Sequence, residues 1–213
     1  MPRTKVLLAD DHAVIAEGLQ ALLKDSFEVV GVVHDGRTLL DRAEVLRPDV
    51  IVTDISMPSM NGLEAVRQLR SRRPDAKVIV LTMHRDTHLA AEAFRAGVSG
   101  YLLKVSPAEE LIDAIREVAQ GRSYVTTLLA KDLITLLIQA GGAACDEGAP
   151  LTPRQREVLQ LVAEGRTMKE VASILNISPR TAESHKYEIM QALGVKTTAE
   201  LVQYAMRLKL VGE

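Results

Sequence analysis

The chain has 213 residues, a length that suits two compact domains that each bury their own core. Its formal net charge of −2 excludes a protein that coats nucleic acid or anionic membrane over its whole surface. The single cysteine excludes an intrachain disulfide and a thiolate metal cage. The sequence shows no signal peptide and no apolar run of the roughly 18 residues that span a membrane, so we expect a cytoplasmic protein without membrane contact.

Short apolar runs alternate with helical periodicity over the first 120 residues, a pattern typical of βα units and a parallel sheet. The predicted strands cover residues 6–9, 27–33, 50–53, 78–81 and 100–103. The fifth helix should begin with Ser106 as its N-cap, Pro107 at the first helical position and Glu109 at the third. We therefore predict a flavodoxin-like, doubly wound α/β domain with a five-stranded parallel sheet over residues 1–122.

Four of the predicted strands run directly into polar side chains, which are Asp10 with Asp11, Asp54, Thr82 and Lys104. In the flavodoxin-like order the first and third strands are neighbours, and the crevice at their carboxyl ends binds ligands. Carboxylates held this close repel each other unless a cation joins them, and oxygen ligands with open positions suit Mg²⁺ and a phosphate. The set therefore favours transfer of a phosphoryl group to Asp54 as an acyl phosphate.

Each of these residues also has a more ordinary explanation when it is taken singly. An aspartate at a strand end is usually a loop acid or a helix N-cap, and a lone lysine is usually a solvated charge. The combination of all five at neighbouring strand ends is what indicates a phosphoryl site.

Residues 1 to about 122 resemble the receiver domain of two-component response regulators. The resemblance is carried by Asp10-Asp11, by Asp54 with Met57-Pro58 and Asn61-Gly62, by Thr82, and by Tyr101-Leu102-Leu103-Lys104. It implies that Asp54 is phosphorylated and that Thr82 and Lys104 contact the phosphoryl oxygens. It also implies that Mg²⁺ is held by Asp11, Asp54 and the Ser56 backbone carbonyl, with Asp10 helping through water. It also implies that Tyr101 is a switch aromatic, with a half-buried strand aromatic as the alternative.

Residues 123–150 form a predicted linker with an apolar helix at about 126–140. This helix is too short to span a bilayer and is apolar on more than one face, so it needs a partner. Packing against its own domains and contact with a second copy of the chain are the two alternatives. The following residues 141–150, which include Cys145, are rich in small residues and helix breakers and predict a flexible segment.

Residues 151–213 predict an all-α domain of four helices near 153–164, 168–175, 179–193 and 198–209. Capping boxes at Thr152, Thr167 and Thr197 and a Ser178-Pro179 start define the helix beginnings. The short turn between the second and third helices predicts a helix-turn-helix, whose second helix enters the DNA major groove.

The DNA-binding candidates lie in and around that second helix. The outward residues Arg180, Glu183, Ser184 and Tyr187 are candidates for reading bases, and Thr181, Lys169, Lys186 and Lys196 are candidates for contacting phosphates. A solvated helix face is the alternative for each lysine. The charge supports the choice of domain, because residues 151–213 carry nine Lys and Arg against seven Asp and Glu, whereas the upstream part carries 17 against 21.

The C-terminal motifs resemble the LuxR-type helix-turn-helix. These motifs are Leu151-Thr152-Pro153-Arg154-Gln155-Arg156-Glu157, Gly165, Lys169-Glu170-Val171-Ala172, Ser178-Pro179-Arg180-Thr181, His185 and Leu193-Gly194-Val195. Together the two domains resemble the NarL/FixJ family of transcriptional response regulators. The resemblance implies a sensor histidine kinase as phosphodonor, promoter DNA as target and a homodimer on activation, with a last-helix contact through Ala199, Val202, Ala205, Met206 and Leu208. Such a protein is not an enzyme beyond promoting its own phosphorylation and dephosphorylation; the alternative function is a phosphate-accepting adaptor that does not bind specific DNA.

Overall fold

The structure of the protein is a computed structural model that describes residues 3–139, 151–207 and 210. Within the N-terminal part the strands are β1 Lys5–Ala9, β2 Glu28–Val33, β3 Val50–Thr53, β4 Val78–Thr82, β5 Gly100–Leu103 and β6 Tyr124–Val125. The helices are α1 Ala13–Leu23, α2 Gly36–Leu46, α3 Gly62–Arg72, α4 Thr87–Arg95, α5 Ala108–Ala119 and α6 Thr127–Gln139. All neighbouring strands are parallel, in the order β2-β1-β3-β4-β5-β6.

The sheet is covered on both faces, which explains why its strands are continuous apolar runs rather than alternating ones. One face packs against α1 and α5, and the other packs against α2, α3, α4 and α6. The predicted flavodoxin-like, doubly wound α/β class is confirmed. The order places β1 between β2 and β3, so the switch point lies at the ends of β1 and β3.

The predicted number of strands was wrong, because the sheet has six strands within the described residues and extends past residue 122. Tyr124 and Val125 pair in parallel with Gly100 and Tyr101 of β5. Two residues are too few to show a period-2 pattern, so the pairing with β5, rather than local sequence, defines this strand.

The start of α5 also differs from the sequence prediction. The N-cap position is Pro107, which makes no side-chain cap, and α5 begins one residue later. The predicted N-cap Ser106 instead places its hydroxyl 3.2 Å from the Thr126 hydroxyl, beside β6. A long-range partner therefore replaces the local capping bond at this position.

Helix α6 packs against the N-terminal domain through one of its sides, as the first alternative predicts, while its Leu128 and Ile134 are 44% and 57% exposed, and contact with a second copy of the chain stays a prediction. Leu129 and Leu133 are buried in the same core cluster as the α4 residues Leu89 and Ala90. Apolar burial of this kind stabilises the docked helix. The predicted flexible segment 141–150, with Cys145, lies outside the described residues.

The C-terminal part contains four described helices, α7 Pro153–Ala163, α8 Met168–Leu175, α9 Pro179–Leu193 and α10 Thr198–Arg207. Their bounds agree closely with the predicted ones. Capping boxes at Thr152 and Thr167 are present, and Thr197 exchanges hydrogen bonds with Glu200 in the same way. Asn176, in the left-handed conformation, ends α8 and makes the tight turn into α9.

The two domains touch through one side of α7. Its residues Glu157 and Gln160, and Glu164 directly after it, hydrogen-bond to α2, to α3 and to the loop between β3 and α3. In the described ranges, no helix is long and apolar enough to cross a membrane.

Candidate functional site

The ends of β1 and β3 bring three aspartates together, as the sequence predicts. Asp10 and Asp54 are buried, with 2% and 5% of their surface exposed, whereas Asp11 is exposed. Ligand atoms of these three residues and of His12 all lie within 4.8 Å of one another. The parallel pairing of β1 with β3 causes this convergence, because both carboxyl ends lie at the same sheet edge.

Lys104 neutralises the buried part of this cluster. Its Nζ lies 2.6 Å from Asp10 Oδ2 and 2.7 Å from Asp54 Oδ2. Burial disfavours the charged ammonium, but the hydrogen bonds to the two carboxylates outweigh that effect and raise the lysine pKa. The ammonium therefore stays protonated beside Asp54.

The carboxylate of Asp54 is held in one orientation and is hard to ionise. Burial raises its pKa, and the negative charge of Asp10 adds to this, while Lys104 and the Ile55 N–H act in the opposite direction. The Ile55 N–H donates to Oδ1 at 2.6 Å and Lys104 donates to Oδ2. Both carboxylate oxygens of Asp54 therefore accept a hydrogen bond. Because burial disfavours the ionised carboxylate, a reaction that removes its negative charge is favoured.

The loop after Asp54 folds back tightly over the strand end. Gly62 permits this, because a Cβ there would clash with the Asp54 carbonyl oxygen, and its N–H donates to the Ile55 carbonyl at 2.8 Å. The backbone of Ser56 lies within this turn, next to the acids. The acidic pocket is compatible with Mg²⁺, because Asp10, Asp11 and Asp54 offer hard carboxylate oxygens, whereas the predicted role of the Ser56 carbonyl stays a prediction.

His12 is a site residue that the sequence analysis did not select. Its Nδ1 lies 2.8 Å from Asp11 Oδ1 and 3.4 Å from Asp10 Oδ1. The only local signal was its position directly after Asp11, and a histidine at the start of a helix is too common to indicate a role.

The side chains predicted to act as a switch meet at His84. Thr82 is fully buried, and its hydroxyl accepts from the His84 N–H at 3.2 Å. Tyr101 is 0% exposed, and its hydroxyl donates a hydrogen bond to the His84 carbonyl at 3.1 Å. The alternative prediction described this side chain as half-buried, and that degree of burial was wrong. His84 Nε2 also lies 3.2 Å from the Ser56 hydroxyl. The switch role itself stays a prediction.

Helix α9 presents the predicted DNA-binding residues on its outer surface. Ala182 and Ile189 face the core, while Tyr187 is 64% exposed. The other α9 candidates are exposed except for Lys186, which is half-buried; they are Arg180, Thr181, Glu183, Ser184 and Lys186. Lys169 and Lys196, which lie outside α9, are exposed. Among the described residues, no interdomain hydrogen bond involves α9.

The last helix agrees only partly with the predicted dimer contact. Ala199 and Met206 are exposed and Val202 is half-buried, as a contact surface requires. Ala205 is buried in the core of its own domain, so its assignment to the dimer surface was wrong. Leu208 lies outside the described residues.

Comparisons with known proteins agree with both domains. The family model described as "Response regulator receiver domain" matches residues 6–116, and that described as "Bacterial regulatory proteins, luxR family" matches residues 149–205. The chain is 36% identical to the transcriptional regulatory protein MctR of Rhizobium johnstonii, over 96% of this chain and 94% of that protein. It is 37% identical to the oxygen regulatory protein NreC of Staphylococcus carnosus, over 97% and 99%.

Solved structures of similar proteins cover nearly the whole chain. The RcsB response regulator of Salmonella typhimurium has a TM-score of 0.64 at 28% identity and covers 98% of this chain and 99% of that one. A complex of RcsB with DNA has a TM-score of 0.60 at 26% identity, with 97% and 100% covered.

Proposed function

This chain belongs to the NarL/FixJ family of DNA-binding transcriptional response regulators, and on that basis we propose that phosphorylation of Asp54 controls its dimerisation and its binding to promoter DNA. The phosphodonor is a sensor histidine kinase and the protein acts in the cytoplasm. Members of the family are regulators rather than classical enzymes. The receiver accordingly promotes only its own phosphorylation and dephosphorylation.

The observation that carries this proposal is the contact of Lys104 with both Asp54 and Asp10 at the switch point of the sheet. One oxygen of Asp54 attacks phosphorus, and the leaving group of the donor departs with the electron pair of the broken bond. The Lys104 ammonium then has a phosphoryl oxygen as its partner in place of a carboxylate oxygen. Thr82 supplies a hydroxyl from the adjacent strand end.

The acidic residues fit a bound Mg²⁺. Asp11, Asp54 and the Ser56 carbonyl would hold the ion, with Asp10 acting through water. When bound, Mg²⁺ neutralises the charge that develops on the transferred phosphoryl group. Without such neutralisation, a phosphoryl dianion would approach a carboxylate cluster that already repels it.

Phosphorylation should increase affinity for DNA. Acetyl phosphate or beryllofluoride with Mg²⁺ should increase dimerisation and promoter affinity by about 10-fold to 100-fold, the usual range of coupling between two sites. Size-exclusion chromatography and DNA shift assays measure the two effects on DNA selected by the phosphorylated protein from a random pool. Unchanged dimerisation and unchanged affinity, with Asp54 demonstrably phosphorylated, would contradict the proposal.

A phosphate-accepting adaptor that does not bind specific DNA is the second candidate function, favoured by the small basic excess of residues 151–213. Replacing Arg180 with alanine discriminates between the two, because its exposed guanidinium on α9 can contact phosphate or guanine. We expect affinity for the selected DNA to fall about 10-fold while phosphorylation is unaffected. Arg42→Ala, an exposed arginine on α2, is the matched control and should leave DNA affinity unchanged. An adaptor would lose no DNA affinity in either variant.

A further inference from the structure

A cavity of about 610 Å³ lies between the two domains at the mouth of the acidic pocket. On the receiver side its wall includes Asp11, His12 and Ser56, which belong to or border the acidic pocket. On the opposite side the wall includes Glu164 and Arg166, which follow α7, and Met206 of α10. The DNA-binding domain therefore stands beside the entrance to Asp54.

Direct contacts hold that wall in place. Gln160 is 2% exposed; its Nε2 donates to the Met57 carbonyl at 2.9 Å, and its Oε1 accepts from the Asn61 N–H at 2.8 Å. Glu164 accepts from the Ser59 N–H at 3.0 Å. All three receiver residues lie in the loop that follows Asp54, so α7 is tied to the rim of the acidic pocket.

A second set of contacts fixes the same helix farther from the pocket. Glu157 accepts from Arg37 and from Gln68, each at 2.7 Å, and Arg156 pairs with Glu64 at 3.4 Å. Buried polar groups cost free energy when they lose their partners. When the domains separate, both sets of contacts therefore have to break together. Helix α7 then moves away from the receiver as one unit.

The size of the cavity limits what reaches Asp54 in this arrangement. Cavities of roughly 300–1,000 Å³ hold small molecules. A helix that carries a phosphohistidine is about 10–12 Å wide, and a stable protein contact covers about 800 Å² on each partner. Residues of α7 and α10 form the opposite wall of the cavity, so they stand within the area that such a contact beside Asp11 and Ser56 would cover.

We infer that the domain contact selects the phosphodonor by size. A small acyl phosphate reaches Asp54 while the domains are in contact, whereas a phosphohistidine protein reaches it only after α7 has left the receiver. With acetyl phosphate, the bond from phosphorus to the acetyl oxygen breaks, acetate keeps the electron pair, and Asp54 bonds to phosphorus. With the protein donor, the bond from phosphorus to nitrogen breaks and the imidazole keeps the pair. The inference rests on the proposed phosphorylation of Asp54.

The test compares both donors on the full chain and on variants of the contact. Gln160→Ala removes the two hydrogen bonds to the β3–α3 loop, and Arg37→Ala removes the bond to Glu157 from the receiver side. Gln203→Ala, an exposed glutamine on α10, is the matched control. The donors are acetyl phosphate and a purified phosphotransfer domain charged on its histidine, and the readout is the initial rate of phosphorylation.

In Gln160→Ala and in Arg37→Ala, we expect phosphoryl transfer from the protein donor to become about 10-fold faster and transfer from acetyl phosphate to change less than about 2-fold. In the control Gln203→Ala, both rates should be unchanged. The inference is overturned if both donors accelerate equally, or if the protein donor does not accelerate even in Arg37→Ala/Gln160→Ala. The acetyl phosphate rate also reports whether each variant folds. If neither donor phosphorylates the wild-type chain, the proposed function itself fails.

Discussion

Replacing Asp54 with asparagine should abolish the phosphoryl adduct and, at the same time, raise the stability of the receiver at neutral pH. The amide is not a nucleophile, so no acyl phosphate forms. The stability change follows from the raised pKa of Asp54, because burial makes its ionised form unfavourable in the folded protein. We expect the free energy of unfolding to increase at neutral pH, while Lys104 keeps Asp10 as its ionic partner.

The sign of this gain depends on pH. The pKa of Asp54 is raised above the ordinary value of 3.8 in the folded protein. The folded protein therefore loses stability as pH rises from that value through the pKa that Asp54 has in the folded state. Asparagine has no such loss, so the difference between variant and wild type should be small below pH 4 and largest near neutral pH. Urea unfolding at several pH values and intact-protein mass spectrometry measure the two effects.

Asp25→Asn, at an exposed position after α1, is the control for both effects. It should keep the phosphoryl adduct and show no pH-dependent gain. An adduct that persists in Asp54→Asn would assign the phosphoacceptor to another residue.

Replacing Lys104 with methionine should have the opposite effect on stability. It removes the ammonium that bonds to Asp10 and Asp54 and leaves two buried carboxylates facing each other. Breaking a buried ion pair by removing one partner costs about 3–5 kcal/mol. Phosphorylation by acetyl phosphate should also slow about 100-fold to 1,000-fold, because a donor to the phosphoryl oxygens is lost.

The pH dependence again fixes the sign. The raised pKa of Lys104 means that its stabilisation is present below the ordinary value of 10.5 and is lost as pH rises through the folded pKa. The cost of the substitution should therefore be large near neutral pH. It should shrink as pH falls and Asp54 takes up a proton, because the repulsion between the two carboxylates then disappears.

A double-mutant cycle separates this charge effect from loss of side-chain packing. In the Asp54→Asn background the same lysine substitution should cost less, because one of the two facing charges is already absent. Lys24→Met, at an exposed lysine, should cost little in either background. Equal costs for Lys104→Met in both backgrounds would contradict the electrostatic explanation.

The sequence alone identified the receiver fold and most of its pocket. Strands buried on both faces appear as continuous apolar runs, and each run ends where the chain reaches the sheet edge, so Asp54 and Lys104 could be assigned by position. The helices of the C-terminal domain could be bounded closely, because capping boxes are local signals that occupy fixed offsets.

Tertiary contacts decided the features that the sequence analysis missed. Strand β6 exists because β5 offers it a partner, and Ser106 leaves its predicted capping position for Thr126. His12 joins the acidic cluster because the end of β1 places it against Asp11. None of these three features has a periodic pattern in the chain.

The contact between the domains is the clearest case. Glu157 and Gln160 of α7 and Glu164 at its C-terminal end recur along one side, and a polar stripe of this kind normally indicates a face in water. In the folded chain Gln160 is instead buried against the loop that carries Met57 and Asn61. The sequence determined which residues form the helix and which side of it is polar. Only the packing of two domains decided what that side contacts, since polar groups bond equally well to water and to the backbone of a distant loop.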